Sequence, residues 1–169
     1  MIYRIVKFPE PILTTPAAPV ENFNSEELRQ LVEDMFETMY AANGVGLAAP
    51  QINLGRRLTV IDCGGDDKPQ QLVLCNPEII RREGKQTGEE GCLSVPGFRA
   101  DVTRALNVTV RAQNLAGEWF EAPGSELLAR AIQHETDHLN GILFLTHLST
   151  LKRDLIKRKI RKLQKDGEW

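Results

Sequence analysis

The pattern of apolar and turn residues predicts an α+β fold. Antiparallel β-sheets surround one central helix, with an N-terminal helix before them and a C-terminal helix after. Three observations predict this. Residues 24–43 repeat apolar side chains at the helical period, residues 57–121 read as short strands broken by turn residues, and residues from 125 onward return to helical spacing. Strand runs set apart from helices, rather than alternating with them, point to this class.

The chain has 169 residues, which predicts one domain over 1–169, long enough to bury a core. No apolar run approaches 18 residues, so no membrane span is expected. Met1-Ile2-Tyr3-Arg4 lacks the charged and apolar regions of a secretory signal. Cys63, Cys75 and Cys92 are an odd, widely spaced set, which suits a reducing compartment better than a disulfide framework. The net charge of −2 is unevenly spread: residues 150–169 hold eight basic and three acidic side chains, a surplus of five, leaving −7 on the rest.

Residues 1–23 read as an extended arm, because Pro9, Pro11, Pro16 and Pro19 forbid a long helix. Asn24, with Glu27 three residues on, reads as the capping box of the first helix. Its apolar face is Leu28, Leu31, Val32, Met35, Phe36, Met39 and Tyr40, and it should stop near Asn43-Gly44. The loop Gly44-Val45-Gly46-Leu47-Ala48-Ala49-Pro50-Gln51 allows close backbone approach. It lacks the Lys-Ser/Thr pair of a phosphate loop. Strands are expected over 57–62 and 71–74 about a turn at 64–69, then a polar loop over 83–91. Further strands are expected at 99–104, 107–112 and 118–121, with a turn over 114–117. Ile142 to Leu145 reads as a short buried strand or turn. The last helix, over 150–169, should present Leu151, Leu155, Ile156, Ile160 and Leu163 on one face and basic residues on the others. Such a helix either docks by its apolar stripe with a solvated basic face, or offers that face to RNA or another anionic partner.

The central helix carries His134-Glu135-Thr136-Asp137-His138. Four residues apart on a helix, His134 and His138 lie one turn above the other and can grip one divalent metal. Glu135 is then placed to take a proton from water at that metal. Ser125 is a suitable N-cap, Leu128, Ile132 and Leu139 form an apolar stripe, and Gly141 stands where helices stop. A purely structural histidine pair would leave Glu135 without a role.

A catalytic metal commonly takes three protein ligands and keeps one position open. A third histidine at metzincin spacing is excluded, because that position is Phe144. A helical Glu downstream is excluded by a tail with none over 150–167, and His147 lies past the helix end. Cys63 and Cys75 adjoin apolar strands and read as small buried hydrophobes. Cys92, between Gly91 and Leu93-Ser94-Val95-Pro96, is favoured as the third ligand.

Three blocks, Gly44 to Gln51, Glu90-Gly91-Cys92-Leu93-Ser94 and Gln133 to Leu139, together resemble peptide deformylase in order and separation. The first helix and the overall length agree, so the resemblance covers essentially the whole chain. It implies a hydrolase that removes the N-formyl group from the initiator methionine of new polypeptides and releases formate. It implies Cys92, His134 and His138 as metal ligands and Glu135 as general base and acid. The Gln51 side-chain amide and the Leu93 backbone N–H would bind the carbonyl oxygen. The peptide would pair in extended form with backbone near Val45, Gly46 and Gly91, and its methionine would enter an apolar pocket lined partly by the central helix. Arg99 resembles the family's pocket-side arginine. Crowding by the Gly-rich loop would reject an acetyl group.

Ligand type alone suggests zinc. The resemblance implies ferrous iron in the cell, with nickel, cobalt or zinc able to occupy the site. The expected partners are nascent formyl-methionine peptides and, through the basic helix 150–169, a transient contact with the ribosome. No membrane or DNA partner is expected, and the expected location is the cytoplasm.

Overall fold

A computed structural model describes residues 1–65 and 67–169. Helix α1 (Glu26–Ala41) is followed by strands β1 (Gly46–Ala48), β2 (Leu58–Asp62), β3 (Gln71–Glu83), β4 (Gln86–Gly91), β5 (Arg99–Arg104), β6 (Asn107–Gln113) and β7 (Trp119–Ser125). Helices α2 (Glu126–Leu139) and α3 (Thr150–Lys165) complete the order, with short 3-10 turns at Pro11–Thr14, Ala49–Ile52 and Phe144–His147. Every strand pairing is antiparallel: β1-β2-β3-β6-β7 form one sheet and β4-β5 a second. The expected α+β class, with one central helix and a helix at each end, is what the chain adopts.

α2 is central because almost nothing on it faces water. Ala129 through Thr136, His138 and Leu139 are buried. A helix buried on all sides needs apolar neighbours on one face and paired polar groups on the other. Ala129 and Ile132 pack with Ile61, Leu74, Val108 and Val110 of the large sheet. The apolar face of α1 covers Leu47, Ile52, Leu58 and Val60 from the other direction. Val95, Val102, Phe144, Ile156 and Ile160 form a third cluster, which seats α3.

Several expectations change. The cap of α1 is Ser25, whose Oγ accepts the Leu28 N–H at 3.1 Å. Asn24 sits at φ +57°, outside the extended conformation a capping residue needs. Ser125 precedes α2, but its hydroxyl donates to Asn107 at 2.6 Å instead of capping the helix. The expected strand over 71–74 is the start of a 13-residue strand. β3 pairs with β2 up to Cys75, is interrupted at Asn76-Pro77, and continues against β6. Asn76, at φ +51°, holds that irregularity by bonding both the N–H and the C=O of Val20.

The expected polar loop over 83–91 contains β4, a full strand against β5. Its inward residues are not apolar, so no alternation of hydrophobicity marks it. Residues 142–145 lead into a 3-10 turn rather than a strand. On α3 only Ile156 and Ile160 are buried, with Leu163 half-buried, while Leu151 is 80% exposed and Leu155 is exposed. At 100° per residue, Leu151 and Leu155 point away from the 156/160/163 stripe. Asp66, in the expected turn over 64–69, lies outside the described residues.

Candidate active site

The i, i+4 spacing on α2 brings the His134 and His138 rings together edge to face, with centroids 4.8 Å apart and their Nε2 atoms 3.0 Å apart. Cys92 arrives from the other sheet. It follows the last residue of β4, and a tight turn closed by the Val95 N–H on the Cys92 carbonyl at 3.0 Å aims its thiol at α2. The Cys92 Sγ lies 3.3 Å from His138 Nε2, and the donor atoms of Cys92, His134 and His138 all fall within 4.8 Å of one another. Three soft or borderline donors converging on one point suit a divalent transition metal.

The residues set aside as ligands sit elsewhere. Cys75 is fully buried and Cys63 half-buried, and burial pushes both thiols up to about 11. His147 Nε2 is 2.9 Å from Asp137 and does not join the group.

Glu135 occupies the cavity side of α2. Its Oε1 is buried with no hydrogen-bond partner among the described residues, and burial pushes the carboxyl up to about 7. Gly46 of β1 lies directly against it: a Cβ at Gly46 would be 2.5 Å from Glu135 Oε2. The Gln51 side chain is oriented from one end, where its Oε1 accepts the Ala48 N–H at 2.9 Å. Its Nε2 therefore faces the site, 3.1 Å from Ser94 Oγ and 3.6 Å from Cys92 Sγ. The Leu93 N–H donates to no group among the described residues.

A cavity of about 570 Å³ opens over these groups. Val45, Gly46, Gln51, Gly91, Cys92, Leu93, Arg99, His134 and Glu135 all line it. Every expected site residue except His138 therefore borders one cavity, and His138 lies behind Cys92 and His134. Arg99 is at the rim, exposed and paired with Glu89 at 2.6 Å. The α2 wall holds Leu127, Arg130 and Ala131, so it is apolar with one guanidinium embedded in it.

Glu90 was read only as part of a motif, yet it is the hub behind the site. Its Oε1 lies 2.5 Å from His134 Nδ1 and accepts Arg104 Nη2 at 2.6 Å, and its Oε2 accepts Arg130 Nη1 at 2.7 Å. Arg104 also bonds Asp137 on α2 at 2.7 Å. Burial alone would raise the Glu90 carboxyl, but hydrogen bonds from His134 and Arg104 outweigh it and hold the group well below the usual carboxylate range. An ionised acceptor at Nδ1 fixes a proton there, so Nε2, turned toward Cys92 and His138, is the nitrogen that would offer its lone pair to a metal. The available signal was Arg130, a charge set between Ala129 and Ala131 on a helix buried all round, which demands an anionic partner.

A central helix with two histidines and a glutamate, completed by a cysteine from a separate sheet and opening on a peptide-sized cavity, defines a metal-dependent hydrolase. Residues 2–154 match the family described as polypeptide deformylase, and the chain belongs to that family. It is 62% identical over 170 residues to a peptide deformylase of Acidobacterium capsulatum, covering 100% of this chain and 99% of the relative. The fold superposes on a peptide deformylase from Legionella pneumophila with a TM-score of 0.91 at 50% identity, covering 99% of this chain and 98% of that one. It also superposes on the peptide deformylase from Thermus thermophilus with a TM-score of 0.88 at 42% identity, covering 96% and 95%.

Proposed function

We infer that the chain removes the N-formyl group from the formyl-methionine of newly made polypeptides and releases formate, as its family membership implies. We assign the metal to Cys92, His134 and His138, proton transfer to Glu135, and the carbonyl oxygen to Gln51 Nε2 and the Leu93 N–H. The observation that carries this is the convergence of the three donor atoms within 4.8 Å beside a buried carboxylate oxygen that has no partner among the described residues. A bound divalent metal supplies Lewis acidity and makes water acidic enough to lose a proton near neutrality.

Glu135 takes a proton from the attacking water as the new carbon–oxygen bond forms at the formyl carbon. Gln51 Nε2 and the Leu93 N–H hold the carbonyl oxygen where negative charge develops, and losing one such donor typically lowers the rate about 10²–10³-fold. Glu135 returns its proton to the nitrogen as the carbon–nitrogen bond breaks, leaving a free amine and formic acid, which gives up its remaining acidic proton to leave as formate. Backbone at Val45, Gly46 and Gly91 lines the opposing cavity walls and suits an extended peptide, with Arg99 at the rim. The methionine side chain lies against Leu127 and Ala131 of α2.

Donor type alone favours zinc. We take ferrous iron as the cellular metal on the family resemblance, with zinc, nickel and cobalt as able substitutes. We take residues 1–169 as one catalytic domain, acting in the cytoplasm on nascent chains. All three cysteines are free, and among the described residues no helix is long and apolar enough to cross a membrane. The basic helix α3, exposed on its Arg158, Lys159, Arg161 and Lys162 side, suits a transient contact with the ribosome.

The test is formate release from formyl-methionine peptides by anaerobically purified protein of measured metal content. Glu135→Gln should keep its metal and lose the activity. No formate from a fully metal-loaded wild type, or full activity in Glu135→Gln, overturns the assignment. Glu substitutions at Arg158, Lys159, Arg161 and Lys162 should abolish low-salt co-sedimentation with ribosomes and leave peptide deformylation intact. Unchanged co-sedimentation removes the ribosome proposal.

A further inference from the structure

The segment that forms the outer wall of the cavity is held from behind by the far end of the chain. Pro96, Gly97 and Phe98 line the cavity opposite α2. The Phe98 ring meets Trp169, with centroids 6.1 Å apart and planes tilted by 59°. A helix-ending turn aims Trp169 there: Gly167 adopts φ +74° and the Glu168 N–H bonds the Leu163 carbonyl at 2.8 Å, which reverses the chain off α3. The Trp169 indole Nε1 donates to the Phe8 carbonyl at 2.6 Å, and Lys7 Nζ lies 5.9 Å from the ring.

Phe8 in turn donates its N–H to the Ser94 carbonyl at 2.9 Å, and Ser94 Oγ accepts Gln51 Nε2. Trp169 therefore fixes the 94–98 segment at both ends, directly at Phe98 and through Phe8 at Ser94.

We propose that Trp169 is a positioning residue for substrate. It holds Phe98 as the wall that receives the peptide beyond its formyl-methionine, and so couples the seating of α3 to peptide affinity. The proposal rests on the deformylase reading above. The reacting end lies deep, at Cys92, His134 and Glu135, whereas Phe98 sits on the segment leading to the exposed Arg99 at the rim. An apolar aromatic wall there favours apolar side chains at the second and third residues of the substrate.

Trp169→Ala should raise KM for formyl-Met-Leu-Phe about two- to tenfold, the worth of one aromatic contact, with kcat unchanged. KM for formyl-methionine amide, which has no downstream residue, should not move. Trp169→Phe should restore much of the loss. Phe98→Ala should show the same pattern, and the double variant should be no worse than either single one. A binding measurement separates this from failure of the deformylase reading. In Trp119→Phe protein, Trp169 is the sole tryptophan, and its emission should shift when metal-loaded protein binds Met-Leu-Phe, whether or not formate is ever released. An unmoved KM for the tripeptide, an equal change for both substrates, or flat Trp169 emission on peptide binding overturns the proposal.

Discussion

The Nδ1 of His134 lies 2.5 Å from the Oε1 of Glu90, a residue that also takes both buried arginines, Arg104 and Arg130. This one carboxylate sets the tautomer of a proposed ligand and pairs with two guanidiniums. Glu90→Gln keeps the shape and removes the charge. Metal affinity, read by competition with a coloured chelator, should fall about 10- to 100-fold. Unfolding in urea should show a loss of about 3–5 kcal/mol, because buried Arg130 loses its carboxylate partner and Arg104 keeps only Asp137. A variant with wild-type affinity would show that Glu90 serves the fold alone.

Gly46 stands against Glu135 with no room for a methyl group: the added carbon would sit 2.5 Å from Oε2 and 2.9 Å from Cδ. The chain is extended at this position, so Gly46→Ala should fold and bind metal. The carboxylate must then swing away from the reacting atoms, and kcat should drop roughly 100-fold. A crystal structure of Gly46→Ala with an undisplaced Glu135, or an unchanged kcat, would refute the packing argument.

What could be read from the residues alone divides along a physical line. His134, Glu135 and His138 were legible because helical geometry relates them locally, and Cys92 because few donors remained. The apolar faces of α1 and α2 were legible for the same local reason. β4 was not, since its inward positions carry Glu90 and Gly88 rather than apolar side chains, and the burial of Glu90 depends on arginines far away in sequence. The tail was half legible. Its helix and charge are local properties, but the outward turn of Leu151 and Leu155 depends on which stripe the core accepts, and the docking of Trp169 on Phe98 depends on tertiary contact.

Metal removal gives a thiol test. Cys63 and Cys75 have their thiols pushed up to about 11, so neither offers much thiolate at pH 7.5, and Cys75 is also fully buried. Cys92 borders the cavity. Metal-loaded protein should show no fast-reacting thiol toward a disulfide reagent, and chelator-stripped protein should show one, lost in Cys92→Ser. Equal reactivity with and without metal would remove Cys92 from the ligand set.

Asp62 fastens the cavity wall to the rest of the fold. Its N–H donates to the Val45 carbonyl at 2.8 Å, and its carboxylate accepts Tyr40 from α1 at 2.5 Å and the Gly64 and Gln70 N–H groups at 3.0 and 2.9 Å. Burial alone would raise this carboxyl, but the bonds from Tyr40, Gln70 and Gly64 outweigh it and hold it below the ordinary aspartate value. The folded state thus binds fewer protons here than the unfolded chain. The contribution is complete above the unfolded value of about 3.9 and fades as pH falls through the lower folded value. At pH 7, Asp62→Asn should therefore lose about 1–3 kcal/mol in urea unfolding, because three donors lose a charged acceptor. The gap from wild type should stay level from pH 7 to pH 5 and narrow below about 4. Tyr40→Phe should lose part of the same energy, and the two changes combined should cost less than their sum. The loosened strand should also raise KM for formyl peptides, since Val45 and Gly46 line the cavity. A gap that stays constant from pH 7 to pH 3 would mean that the carboxylate's charge contributes nothing here and that only its shape holds β1 in place.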